Sequence, residues 1–272
     1  MTWQTIAKKD VRAVGDSRLF RYVLGFVVFA YLVGGYLVPT VIDSPATADL
    51  PRYVSTAVTL LVPLTAILLG YKAIVDERAS GRLVLLLSLP HSRRDVLVGT
   101  FVGRALVLVG TLVAGVAVAT ALVAYPFGSF QPVDFLVYLG ATILLGLAFL
   151  SIALAISAFT ESSSIATAVA FGVFFLFVVV WSELRILFRL GLDSLGMGSD
   201  ELPAWALFVH GLEPSACYER VVGGFVEHST TGMYLHPDAP WYLGEEVALV
   251  ALVAWVILPV TMGYVRFRGS DL

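Results

Sequence analysis

The run from Phe135 to Thr160 reads FLVYLGATILLGLAFLSIALAISAFT and contains no Asp, Glu, Lys or Arg. A helix crosses the hydrocarbon core of a bilayer in about 20 predominantly apolar residues, and this run is long enough. Five more uncharged stretches accompany it: Tyr22–Ile42, Val54–Tyr71, Ala105–Val133, Ser162–Ser182 and Val247–Val265. Lipid offers no hydrogen bonds to exposed backbone, so such runs are expected to be helical. The expected fold is therefore all-α: a polytopic membrane protein with six transmembrane helices, at 22–42, 54–75, 101–124, 134–158, 163–186 and 246–265. The uncharged stretch Tyr125–Pro132 reads as a loop between the third and fourth spans.

Composition agrees with a membrane domain. The chain has 272 residues, is 58% hydrophobic and 14% charged, and has a mean hydropathy of +0.89. Ordinary soluble domains carry roughly 25% charged residues. Cys217 is the one cysteine, which excludes an intramolecular disulfide. About 20 polar or amphipathic residues precede the first long run, and no A-x-A site closes that run. The first helix is thus expected to be retained rather than cleaved as a signal.

Orientation follows from the basic residues. With the amino terminus cytoplasmic, 13 of 17 Lys and Arg fall on the inner side, leaving Arg52, Arg185, Arg189 and Arg220 outside. Short cytoplasmic loops retain Lys and Arg. The chain is accordingly expected in the plasma membrane with both termini cytoplasmic. Thirteen of the 20 acidic residues fall on the other side, which reads first as a solvated acidic surface and second as a collar for a cation or basic partner.

Residues 2–18 read as an interfacial helix: Trp3, Ala7, Val11 and Val14 recur at helical spacing, with Lys8, Lys9 and Arg12 on other faces. Gly15-Asp16-Ser17 should break it before the first span. Pro63 should kink the second span. Residues 76–99 are the most informative loop. Asp76-Glu77-Arg78-Ala79-Ser80-Gly81-Arg82 is followed by the short apolar Leu83–Leu89, then by Pro90-His91-Ser92-Arg93-Arg94-Asp95. These seven residues are too few to span, so their apolar side chains should pack on the bundle or on another protein. Pro90 stops a helix, and Ser92 with Asp95 resembles a capping start. The expectation is two short helices around a corner, suited either to docking or to plain connection.

These residues carry a family resemblance. Glu77, Arg78, Gly81, Leu86, Leu87, Ser88, Leu89, Pro90, Ser92, Arg93 and Gly99 make a loop similar to the first cytoplasmic loop of ABC transporter permeases of the exporter type 2 family. The family's usual Gly-Lys is Gly99-Thr100 here, with Arg104 nearby. Leu212–Tyr218 resembles a further segment of these permeases. The resemblance implies a permease subunit of an ATP-driven exporter working as a dimer. A separate ABC ATP-binding subunit would dock on Glu77, Arg78, Gly81, Arg82, Leu86, Leu87, Pro90, Ser92 and Arg93. It also implies that the outer loop, 187–245, contains re-entrant helices with Glu213, Pro214 and Tyr218 as an outer gate. Pro203, Gly211, Pro214, Gly223 and Gly224 fit such broken helices.

No G-x-x-x-x-G-K-[ST] phosphate loop occurs among the 24 glycines, so ATP and Mg are expected on the partner subunit and no cofactor on this chain. The glycines of the spans read instead as sites of close helix approach. The expected partners are the ATP-binding subunit, a second permease copy and the bilayer, with no nucleic acid. Cys217, His228, Met233 and His236, with His210, are weak candidates for a soft metal, although no Cys-x-x-Cys or His-x-x-x-His spacing supports them. The resemblance is nearest to a branch associated with nitrous oxide reductase maturation and with copper or sulfur export. Other classes fit less well. A secondary transporter coupled through carboxylates needs ionisable groups deep in the spans, where none occur. An intramembrane enzyme lacks a polar constellation; Ser162-Ser163-Ser164 beside Glu161 reads as a capping loop. A non-transporting scaffold and a secondary transporter without carboxylate coupling stay open.

Overall fold

The computed structural model describes residues 3–41, 50–88, 92–127, 132–194, 202–226, 234 and 239–269. Among them there is no strand. The helices are α1 (Trp3–Gly15), α2 (18–41), α3 (Leu50–Gly70), α4 (Val75–Ala79), α5 (Arg82–Ser88), α6 (Arg93–Phe127), α7 (Pro132–Phe159), α8 (163–194), α9 (Ala204–His210), α10 (Pro214–Phe225) and α11 (Glu245–Arg268). A 3-10 turn, Trp241–Leu243, precedes α11. Two of these helices change winding midway: α2 is a π-helix at Val33–Leu37, and α8 at Phe175–Val180.

Five stretches among the described residues are long and apolar enough to cross a membrane: Val54–Ala79, Arg93–Ala121, Pro132–Phe159, Ser163–Val180 and Glu245–Arg268. The first expected span falls on α2, which is helical throughout 18–41 but is not one of the five. Helix α6 begins at Arg93, well before the 101 expected for the third span. The second short helix foreseen after Pro90 is thus the first turn of one 35-residue helix. Helix α8 likewise runs on to 194, past the expected end of the fifth span. The described residues place Asp16 and Ser17 between α1 and α2, where the sequence interrupts the helix. Pro63 lies inside α3.

Helix α7 is the centre of the bundle, packed by α3 and α11 along its length and by α10 at one end. Its span is 72% buried, whereas those of α8 and α11 are 11% and 17% buried. Between helices in lipid there is little hydrophobic drive, so small residues and van der Waals fit hold the contacts. A side chain on Gly70 would meet Ala153 Cβ at 2.7 Å, and one on Gly263 would meet Ala155 Cα at 3.0 Å. The small residues of α7 thus face glycines of α3 and α11. The glycines read from sequence divide. Gly103, Gly115 and Gly146 have neighbours that would crowd a Cβ, while Gly110, Gly140 and Gly172 face nothing within 4 Å.

Proline and serine cooperate in α11. Pro259 interrupts the helical ladder, and the backbone N–H of Val260 donates to the buried Ser151 Oγ of α7 at 2.9 Å. A side-chain acceptor of this kind lets a membrane helix carry a proline. Ser157 performs the same service where α3 gives way to α4, accepting from the N–H groups of Ile74 and Val75 at 2.9 and 3.1 Å.

Candidate functional site: a basic end and a capped end

The basic end gathers α1, α4, α5, the start of α6 and the end of α11. Helix α1 lies across α6 so closely that a Cβ on Gly99 would come within 2.7 Å of Ile6 Cβ and Trp3 O; one on Gly103 would come within 2.9 Å of Ala7 O. Gly99 and Gly103, four residues apart, form a small-xxx-small face. Ile6 and Ala7 are buried there, Val11 and Val14 pack on the main core, and Trp3 stays partly exposed. Arg104 locks the crossing. Its Nε donates to Asp10 Oδ2 at 2.7 Å, and its Nη1 donates to the Leu69 carbonyl at the end of α3.

Residues of the expected docking loop divide between internal and outward roles. Glu77 pairs with Lys9 of α1 at 3.3 Å and stands 3.7 Å from Arg82 Nε. Arg78 Nη1 donates to the Thr160 carbonyl at 3.0 Å. Gly81 has φ of 71°, the left-handed conformation glycine supplies without strain, and it separates α4 from α5. Ser92 and Asp95 form a full capping box: Asp95 N–H donates to Ser92 Oγ, while Ser92 N–H and Oγ both donate to Asp95 Oδ2. Arg93 turns inward, donating from Nη1 to the Phe267 carbonyl at 2.8 Å and to that of Arg268 at 3.4 Å. It satisfies carbonyls that the C-terminus of α11 leaves open. Outward, α5 buries Leu83 and presents Val84 and Leu85 at 52% and 68% exposure, with Leu86 half-buried and Arg82 exposed. The side chain of Leu87, and Pro90 altogether, lie outside the described residues. Ser162 stands at the N-cap of α8 without a side-chain bond, and Ser163 Oγ donates instead to Asp76 Oδ1.

The capped end is built differently. Pro203 precedes α9 and Pro214 occupies the first turn of α10, where a missing N–H costs nothing. Glu213 caps α10, its Oε2 accepting from Ala216 N–H at 2.8 Å. Among the described residues its Oε1 has no hydrogen-bond partner. Burial pushes the Glu213 carboxyl up to about 7, against backbone hydrogen bonds at Ser215 and Ala216 that pull it down. Tyr218 is buried at the junction of α10 with the bundle, its hydroxyl 3.4 Å from Thr142 Oγ1 of α7. The hydroxyls of Tyr31 and Tyr138 are likewise 3.4 Å apart.

Arg220 holds this end together, and charge counting along the sequence passed it over. It is 1% exposed. Its Nε donates to Leu243 O at 3.1 Å, Nη1 to Gly211 O at 3.1 Å, and Nη2 to Tyr242 O at 3.2 Å and Gly244 O at 2.9 Å. Its guanidinium also lies 5.5 Å from the centre of the Tyr234 ring. One cation thereby ties α10 to the end of α9 and to the turn before α11. Trp255 Nε1 donates to Leu212 O at 2.7 Å, and Trp181 Nε1 to His210 O at 2.9 Å. His210 is buried, with Nδ1 against the Tyr234 hydroxyl and Nε2 3.2 Å from Trp181 O. Donation from Nε2 to that carbonyl leaves Nδ1 to accept from Tyr234.

Of the soft-metal candidates, Cys217 is fully buried, and its thiol donates to Gly211 O at 3.2 Å. Burial pushes that thiol up to about 12, away from the thiolate that binds metals. His228, Met233 and His236 lie outside the described residues. Among the described residues no three His, Cys, Asp or Glu side chains form a group able to hold a metal ion.

Comparison with known proteins places this arrangement. The family model of the ABC-2 family transporter protein matches residues 4–272. Two relatives bear the name "Probable ABC transporter permease protein NosY". The one from Stutzerimonas stutzeri is 32% identical over 223 residues, covering 77% of this chain and 76% of its own length. The one from Pseudomonas aeruginosa is 32% identical over 225 residues, covering 79% and 78%. A bundle of apolar helices, a short helix flanked by a capping box at its basic end, and a family match over nearly the whole chain agree: this multi-pass membrane protein belongs to the ABC-2 transporter family, among its permease subunits.

Proposed function

We propose that the chain forms half of the substrate path of an ATP-driven exporter, paired with a second copy of itself, and that a separate subunit binding ATP and Mg docks on its basic end. The observation that carries this reading is α5. A seven-residue helix buries Leu83 and turns Val84 and Leu85 away from the bundle, with Arg82 exposed beside them. Apolar side chains on a short helix beyond the spans suit a protein partner better than water. On this reading the basic end faces the cytoplasm, as do both termini, in keeping with the distribution of Lys and Arg. The membrane crossings number six with α2 included. The α9–α10 cap closes the opposite side, and Glu213, Pro214 and Tyr218 seat it.

The inward course of Arg93 changes how docking is best tested. Reversing its charge would unseat the end of α11 along with any partner contact. Leu85→Glu is the cleaner probe, because Leu85 is exposed. The tagged permease carrying Leu85→Glu should lose its ATP-binding subunit on mild-detergent affinity purification and retain normal yield. Full retention of an ATPase with Leu85→Glu and Val84→Glu combined would exclude α5 as the docking helix.

A further inference from the structure

Helix α8 does not close on the packed pair α7 and α11. Between them runs an apolar groove of about 740 Å3, floored by Ile152 and Ile156 and walled by Val173, Phe177, Trp255 and Met262. Its volume falls within the usual range for ligand pockets, about 300–1,000 Å3. Leu212 closes it beneath the α9–α10 cap, and Phe159 and Thr160 mark its other end.

That second end is strongly basic. Arg78 donates to the carbonyl of Thr160, a lining residue. The guanidiniums of Arg78 and Arg93 stand 5.9 and 5.7 Å from the centre of the Phe267 ring. Arg266 is exposed, and it follows Met262 by four residues, so it continues the helix face that lines the groove. Arg93, Arg266 and Glu161 all lie within electrostatic range of Arg78. Three arginines against Glu161 and the Asp76 carboxylate, which already accepts from Ser163, leave a positive surplus where an apolar groove meets a membrane surface. Guanidinium groups recognise phosphate oxygens, and basic pockets between membrane helices bind anionic head groups.

The geometry points to a binding site for an anionic phospholipid, with an acyl chain along the α7–α8–α11 groove and its phosphate at Arg266 and Arg78. A second copy of the chain is the competing occupant. Two copies share one membrane orientation, so placing this groove on their two-fold axis would draw like arginine clusters toward each other at one end. The lipid suits both the charge and the shape. This inference is independent of transport direction and of α5 docking.

The test is native mass spectrometry of the permease, with any partner subunits that co-purify, after exchange into detergent containing phosphatidylglycerol or phosphatidylcholine. The wild type should retain phosphatidylglycerol in clear preference. Arg266→Gln should lower that retention roughly tenfold, as expected for one lost charged hydrogen bond. Ala254→Trp, which fills the groove, should lower retention of both lipids, and Arg12→Gln on α1 should change neither. Equal retention of the two lipids by wild type, or no loss with Arg266→Gln, overturns the proposal. Cys217 is buried and is the one cysteine, so a Leu258→Cys chain carries one accessible thiol in the groove. Efficient disulfide linkage of two such chains would assign the groove to a second copy and also overturn it.

Discussion

The two ends of the bundle are held by different chemistry. At the basic end charged side chains answer one another: Arg104 meets Asp10, Glu77 meets Lys9, and helices cross over glycine. At the capped end a single buried cation, Arg220, is solvated by main-chain carbonyls, and no carboxylate pairs with it among the described residues. Side-chain pairs can be broken and remade one at a time. A guanidinium on α10 that serves four carbonyls from two other segments makes the three one unit. The ion pairs of the basic end can thus be broken singly, whereas the capped end moves as a body or not at all.

Breaking the capped end should produce the largest effect. Arg220→Met strands the carbonyls of Leu243 and Tyr242 and takes one of two donors from those of Gly211 and Gly244; a buried carbonyl left unsatisfied costs about 1–3 kcal/mol. Thermal unfolding in detergent should fall steeply, and proteolysis between α8 and α11 should rise. Arg220→Lys should be nearly as harmful, because a single ammonium cannot reach all four groups; wild-type stability in either variant would remove Arg220 from its central place. At the basic end, Gly103→Leu should cost about 1–3 kcal/mol through overpacking against Ala7 and Asp10. A thiol introduced at Ile6 should then become reactive, and an unreactive thiol would mean that α1 is held by something other than the glycine face. A double-mutant cycle on Asp10→Asn and Arg104→Gln should return a coupling of about 1 kcal/mol, above that of the more exposed Lys9–Glu77 pair.

The smallest effect sharpens the contrast through pH. The folded state holds the Glu213 proton up to about 7, higher than an unfolded chain would. Between the ordinary carboxylate range and pH 7 the folded state therefore binds more protons, and stability falls as pH rises through that window. Above pH 7 the full cost is present. Glu213→Gln keeps an acceptor for the Ala216 N–H and has no proton to lose, so its slope across the window should be shallower than that of the wild type, with Glu219, whose carboxyl desolvation also raises, supplying what remains. A slope equal to that of the wild type would place the titration elsewhere.

The sequence exposed the spans because lipid leaves the backbone no alternative to helix, and the uncharged runs report that directly. Ser92 and Asp95 exposed the start of α6 because a capping box is local, needing only a spacing of three. Arg93 shows where such reading stops. Its motif position suggests a partner, yet its bond goes to a carbonyl 174 positions away. Arg220 was harder still. Its acceptors lie nine behind and 22 to 24 ahead, and a carbonyl looks the same in every residue. The one local sign was a lone arginine among Cys217, Tyr218, Val221 and Val222, on a helix whose side chains are mostly buried and whose exposed charge is the neighbouring Glu219.

The length of α6 has a mechanical consequence. At 35 residues it extends about 52 Å without interruption, from the capping box to Phe127. Where α1 crosses at Gly103, the helix divides into arms of about 15 and 36 Å. A lever pivoted there magnifies sideways displacement: a shift of 1 Å imposed at Arg93 emerges as roughly 2.4 Å at the far end. Under such motion the glycine crossing would set the gearing, and moving it along α6 would change the stroke without altering any residue at either end.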